Sequence, residues 1–172
     1  MEEHIEYYSK EKIIEYADYL FENDEYQMAI NEYQRAYYIS ENNREKLNLK
    51  MNIGKCYNYL GRYDSSIDIY KSVINESSDN AVLAELKYQI GLTYFEKENY
   101  GKAIEKLEIA LSYYPRSIEI SSLLVKLYLD NGQAEKALLI AQNSVWGKPA
   151  SASGLLEVFS AAAVIGDQEK AS

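Results

Sequence analysis

The sequence predicts an all-α protein, an α-solenoid of stacked antiparallel helix pairs, and three observations carry that prediction. The first is internal repetition. Residues 87–115 read KYQIGLTYFEKENYGKAIEKLEIALSYYP: an apolar-periodic run, a polar break at Glu98-Asn99, then Tyr100, Ala103, Leu107 and Ala110 at helical spacing until Pro115. Similar text recurs around Ala17 and Gly54. The second is the period. Ala17 to Gly54 and Gly54 to Gly91 are each 37 positions, and Ala103 to Ala137 is 34. Repetition at roughly 20–50 residues marks a stacked array. The third is interruption: the apolar pattern stops at a hinge every 13–18 residues, whereas a coiled coil needs heptads sustained without breaks.

The elements follow in order. After a polar lead-in at residues 4–10, the first helix is predicted near 10–22, breaking at Asn23-Asp24, and its partner runs to about Ser40. Ser40-Glu41-Asn42-Asn43 groups side chains that compete for backbone hydrogen bonds, so it reads as a turn. Helices near 45–60 and 63–76 are hinged at Gly61, and NESSDN at 75–80 connects them to a third pair near 81–97 and 100–114. The fourth pair is predicted at 117–130 and 133–146, hinged at Asn131-Gly132; Gly147-Lys148-Pro149 cannot continue a helix. SASGLLEVFSAAAVIGDQEKAS then reads as the first helix of a fifth pair. The expected organisation is a single array over 1–172, with repeats at about 10–43, 47–80, 84–117 and 118–151 and a partial one at 152–172.

Gly91, Tyr94, Tyr100, Ala103, Ala110 and Pro115 stand where the tetratricopeptide repeat (TPR) family places a small residue and an aromatic in its first helix, two alanines in its second, and proline at the exit. The chain resembles that family over nearly its whole length. The second repeat departs from the pattern with Ser66 and Val73 where alanine is usual, and the fourth with Val125 and Ala134. The resemblance implies a right-handed superhelix whose concave side is lined by the first helix of each pair. Similar long-period repeats occur in bacterial envelope assembly proteins of this family.

Composition narrows the function. At 47% hydrophobic and 26% charged residues the chain suits a folded protein rather than a disordered one. Its net charge of −9, with no basic run, argues against nucleic acid, whose binding rests on Lys and Arg neutralising phosphates. No apolar run approaches the roughly 20 residues of a membrane span, so direct membrane insertion is not expected. MEEHIEYYSK is no secretory signal, which points to the cytoplasm, or to the bacterial envelope if the chain is a piece of a longer one. One His and one Cys exclude a nucleophile–base pair and a typical zinc site, and no glycine-rich phosphate loop occurs. Neither enzyme activity nor a cofactor is expected. Cys56 reads as a small packing residue, and most of the 18 tyrosines as seam fillers.

The face that the resemblance assigns to ligands carries Glu11, Glu15, Asp18, Phe21 and Glu22 in the first repeat and Glu119, Leu123, Lys126 and Leu129 in the fourth. Its aromatic and amide character concentrates in Asn52, Lys55, Asn58 and Tyr59 of repeat two and in Tyr88, Gln89, Leu92 and Phe95 of repeat three. Asn and Gln can bond a peptide backbone as donor and acceptor, and aromatics are the usual anchors of interfaces. These eight are the candidate partner-binding residues. One TPR subfamily binds the C-terminal carboxylate of Hsp70 and Hsp90 through two Lys, an Arg and two Asn. Only Asn52 matches; Ile14, Asp18, Glu85 and Gln89 occupy the other positions, so that clamp is not expected. The expected function is a protein-interaction scaffold for a neutral-to-basic peptide or protein segment. The alternatives are a self-association module and a small-ligand or glycan binder. Leu155, Leu156, Val158 and Phe159 would leave an apolar C-terminal edge, where a homodimer could form.

Overall fold

The protein is described by a computed structural model over residues 9–145. Among these residues all regular structure is helical: α1 (Lys10–Glu22), α2 (Tyr26–Ile39), α3 (Asn43–Tyr59), α4 (Tyr63–Glu76), α5 (Asn80–Glu96), α6 (Tyr100–Tyr113), α7 (Ile118–Asp130) and α8 (Ala134–Val145). The helix bounds agree with the sequence expectation to within two residues. The exit at 147–149, the fifth pair and its apolar edge lie outside the described residues.

Each helix pair is closed by the same turn. In the first, the Glu25 N–H donates to the Leu20 carbonyl at 2.9 Å and the Asp24 N–H to that of Phe21 at 3.2 Å, with Asp24 at φ 63°. Arg62 to Tyr57, Asn99 to Tyr94 and Gln133 to Tyr128 repeat the longer bond, each at 2.8 Å. The left-handed residue at those three turns is Gly61, Glu98 or Gly132. This closure satisfies carbonyls orphaned at a helix end. A side chain at φ > 0 crowds its own carbonyl, so Glu98 carries a strain that Gly61 and Gly132 avoid. Glu98→Gly is expected to raise stability by about 0.5–1 kcal/mol, seen as a higher thermal midpoint. Asp24 is the poorer test, because its carboxylate accepts a hydrogen bond from the Tyr26 hydroxyl. Helix starts are capped where the sequence offers short polar side chains. Ser9, Asn42, Asn99 and Ser117 accept from the backbone N–H of Lys12, Glu45, Lys102 and Ile120.

The chain divides into two compact units at Val82–Leu83, inside the first turn of α5. In the first unit, Ile13, Ala17 and Leu20 of α1 and Ala29, Ile30, Tyr33 and Ala36 of α2 bury against Leu49, Ile53 and Cys56 of α3. Gly54 lets the Tyr70 ring of α4 come close: a Cβ on Gly54 would lie 2.5 Å from Tyr70 Cε1. Lys10 Nζ bonds Glu45 at 2.8 Å, and Glu45 also accepts from the Ser40 hydroxyl, tying the start of α1 to the α2–α3 turn. That contact holds the Glu45 carboxyl below its ordinary range, through the Lys10 hydrogen bond first and the Ser40 bond second. Cys56 is fully buried, and burial pushes its thiol up to about 12.

In the second unit, Ala103, Leu107 and Ala110 of α6 pack with Ile120, Leu124, Val125, Leu127 and Tyr128 of α7 and with Ala137 and Ala141 of α8. Gly91 plays the role of Gly54 here, and a Cβ on it would stand 2.8 Å from Leu107 Cγ. The small residues expected at helix crossings are therefore where helices come closest. The tyrosines divide more evenly than the sequence reading implied. Tyr33, Tyr70 and Tyr128 are buried, whereas Tyr16, Tyr19, Tyr38, Tyr59, Tyr100, Tyr113 and Tyr114 are exposed. A tyrosine at helical spacing can face either a seam or water, and its hydroxyl suits both.

Candidate functional site

The eight candidate residues fall into two groups of four, one in each unit. In the first unit, α1 and α3 present equivalent positions 37 residues apart, so Glu15, Asp18 and Glu22 correspond to Asn52, Lys55 and Tyr59. Between them lies a pocket of about 220 Å³ lined by Asp18, Phe21, Glu22, Tyr33, Asn52 and Lys55. One wall is acidic, the other carries an amide and an ammonium, and the aromatics supply apolar surface. The Tyr33 hydroxyl donates to Asp18 Oδ1 at 2.6 Å. Burial, then that bond, drive the hydroxyl well above the ordinary tyrosine range, so it remains a protonated donor that fixes the carboxylate. Neither Glu15 nor Glu22 has an ion-pair partner among the described residues.

Phe21 is held in place by an aromatic cluster. Its ring meets Tyr26 edge-on at 5.5 Å and Tyr59 edge-on at 5.4 Å, while Tyr26 and Tyr59 stack at 4.9 Å. Such pairs add about 0.5–1.5 kcal/mol each beyond burial. Tyr59 is still 62% exposed, so its outer face remains open to a partner. Asn58 behaves differently from expectation. Its Oδ1 is buried with no hydrogen-bond partner, so its acceptor is not displayed at the surface.

In the second unit the four residues share α5. Gln89 spends a donor on Glu85, Nε2 to Oε1 at 2.8 Å. Tyr88 is half-buried, and burial, with Glu85 and Glu119 nearby, raises its hydroxyl above the ordinary value. Leu92 is also half-buried. Phe95 packs against the α6–α8 core, lies 5.8 Å from the Tyr100 ring, and has Lys126 Nζ 5.5 Å from its centroid. It therefore supports the fold as well as offering an edge. Leu123 and Leu129, also on the expected ligand face, pack against the same core.

Tyr33, which lines the first pocket from α2, and Tyr26, which packs on Phe21, belong to the repeat pattern in the sequence but were not among the candidate site residues. The sequence signal for both is recurrence 37 residues on, Tyr33 at Tyr70 and Tyr26 at Tyr63. Among the described residues no group of three or more His, Cys, Asp or Glu is placed to hold a metal ion. No described helix is long and apolar enough to cross a membrane.

Comparison with known proteins agrees with this architecture. Tetratricopeptide-repeat family models match residues 50–80 and 94–143. A search of curated proteins finds no significant match. Among solved structures, MamA is similar at TM-score 0.67 and 21% identity, over 87% of this chain and 84% of that one. Kinesin light chain TPR-like repeats of Podosopora anserina reach TM-score 0.70 at 15% identity, over 94% and 89%. The TPR2AB domain of yeast Sti1, in its pHSP90 complex, reaches TM-score 0.57 at 16% identity, over 91% and 70%. At these identities the likeness is one of fold. With a repeating helix hairpin and small residues at its crossings, residues 50–80 and 94–143 are tetratricopeptide repeats in a fold like that of solved tetratricopeptide-repeat structures.

Proposed function

We propose that this protein is a non-catalytic interaction scaffold whose first helices bind a protein segment of neutral to basic character. The observation that carries the reading is the α1–α3 pocket. It gathers Asn52 and Lys55, two of the residues singled out for partner binding, with Phe21 and the carboxylates of Asp18 and Glu22. An aromatic wall beside hydrogen-bonding groups of both kinds suits a peptide, which offers apolar side chains and backbone donors and acceptors together. The fold's likeness to a TPR domain in complex with pHSP90 supports peptide binding in general. Ile14, Asp18, Glu85 and Gln89 do not supply the cationic clamp, which disfavours a C-terminal carboxylate bound at those positions. Exposed Glu11, Glu15 and Glu22 on α1 steer a basic partner and raise its on-rate more than its affinity.

The test is a titration with a partner recovered by cross-linking from a photoreactive residue at position 55. Phe21→Ala and Tyr59→Ala are expected to weaken binding by about 2 kcal/mol, whereas Asp68→Ala on exposed α4 surface leaves it unchanged. Equal affinities across the folded variants move the binding surface off α1 and α3.

A further inference from the structure

The repeat register identifies a second surface, on the leading side of the first hairpin. Three positions of each first helix recur in register. In α3 they are Leu49, Ile53 and Cys56, all buried in one cluster with α1 and α2 of the preceding hairpin. In α7 they are Ile120, Leu124 and Leu127, buried with α6 of the hairpin before it. Two independent seams thus use the same three positions to receive a neighbour. A second-helix position joins them: Ile69 and Ile140 each pack against the same clusters.

In the first hairpin these positions are Lys12, Tyr16 and Tyr19 of α1 and Glu32 of α2. Tyr16 and Tyr19 are 50% and 58% exposed and stack with ring centroids 6.4 Å apart. Beside them a cavity of about 380 Å³ opens between Lys12, Ile13, Tyr16, Glu32 and Arg35. A face serving only as a solvent cap is polar. This one keeps two stacked tyrosines, a residue type enriched at interfaces. It also carries both signs of charge, Lys12 on one helix and Glu32 on the other, with Arg35 3.6 Å from Glu32.

We propose that this leading face is an isologous contact with a second copy of the chain, in a reversible dimer. A two-fold contact sets each patch against itself. Laying α1 of one copy along α2 of its partner brings Lys12 to the other copy's Glu32 twice over, and sets each Tyr16–Tyr19 pair against the partner's α2. Amphipathic tyrosine in place of the aliphatic residues of the internal seams fits a surface that must be stable both wet and covered. The contact is separate from the α1–α3 pocket.

Sedimentation velocity of the full chain over a wide concentration range tests this, with helical circular dichroism confirming that each variant folds. The expected result is a monomer–dimer equilibrium that Tyr19→Ala weakens about tenfold or more. Lys12→Glu alone and Glu32→Lys alone weaken it as well, and the two together restore it. A monomer at every concentration overturns the proposal. A dimer indifferent to Tyr19→Ala also overturns it, and places self-association elsewhere on the chain. A double charge swap no tighter than the single ones overturns the two-fold pairing.

Discussion

Gly54→Ala is expected to destabilise the protein by roughly 2–3 kcal/mol, although alanine is the better helix former by about 1 kcal/mol. The added methyl would sit 2.5 Å from Tyr70 Cε1, 2.9 Å from Cζ and 3.0 Å from Cδ1. Three atoms of one rigid ring are in the way, and the ring is fully buried, so it has nowhere to turn. Relief requires α3 and α4 to separate, which loosens the contacts on either side of the crossing. Chemical denaturation gives the measurement. A variant as stable as the parent means that Tyr70 does not lie over Gly54. Shrinking the ring in the same chain provides a check, since residues in contact are not additive. Gly54→Ala in a Tyr70→Leu background should cost clearly less than it does alone.

Leu107→Ala carries the other large effect, a loss of about 2–5 kcal/mol from emptying a fully buried position in the second unit. Its interaction with Gly91 is more informative than its size. Leu107 Cγ and Cδ2 would lie 2.8 and 2.9 Å from a Cβ on Gly91. In the parent chain, therefore, Gly91→Ala is destabilising, and the larger Gly91→Leu overpacks the crossing at a cost of about 1–3 kcal/mol. Once Leu107 is cut back to alanine, those atoms are gone. Gly91→Ala should then be neutral or stabilising, because it partly fills the new void and gains helix propensity. The same sign for Gly91→Ala in both backgrounds would show that the two side chains do not share this space.

The helices and their boundaries were legible because each hinge is written locally. Asn23-Asp24, Gly61, Glu98-Asn99 and Asn131-Gly132 interrupt the apolar period where the chain adopts φ > 0. The small residues at crossings were legible for a related reason: Gly54 and Gly91 recur in step with the period. The candidate site was less so. Asn52, Lys55 and Asn58 were placed on one face by helical spacing, but spacing says nothing about depth, and Asn58 turns its carbonyl oxygen inward. Phe21, Tyr26 and Tyr59 come from three helices, and their clustering depends on the angle at which those helices cross. Likewise the Tyr128 hydroxyl's choice of Glu108 unites residues 20 apart, a pairing that no periodicity predicts.

Cys56 has a practical consequence. It is the chain's one cysteine, and with its thiol pushed up to about 12 by burial it stays protonated at neutral pH. Maleimides and haloacetamides react through the thiolate, and the sulfur is also shielded from them by complete burial. The native protein is thus expected to resist such labels without any prior substitution. A cysteine introduced at an exposed position, such as Asp68 on α4, becomes a unique handle for a fluorophore or spin label, while Cys56 keeps its place in the packing between α1 and α3. The same resistance gives an unfolding assay. Native chains resist alkylation, and each opening of the first unit that frees Cys56 is recorded as a permanent gain in mass.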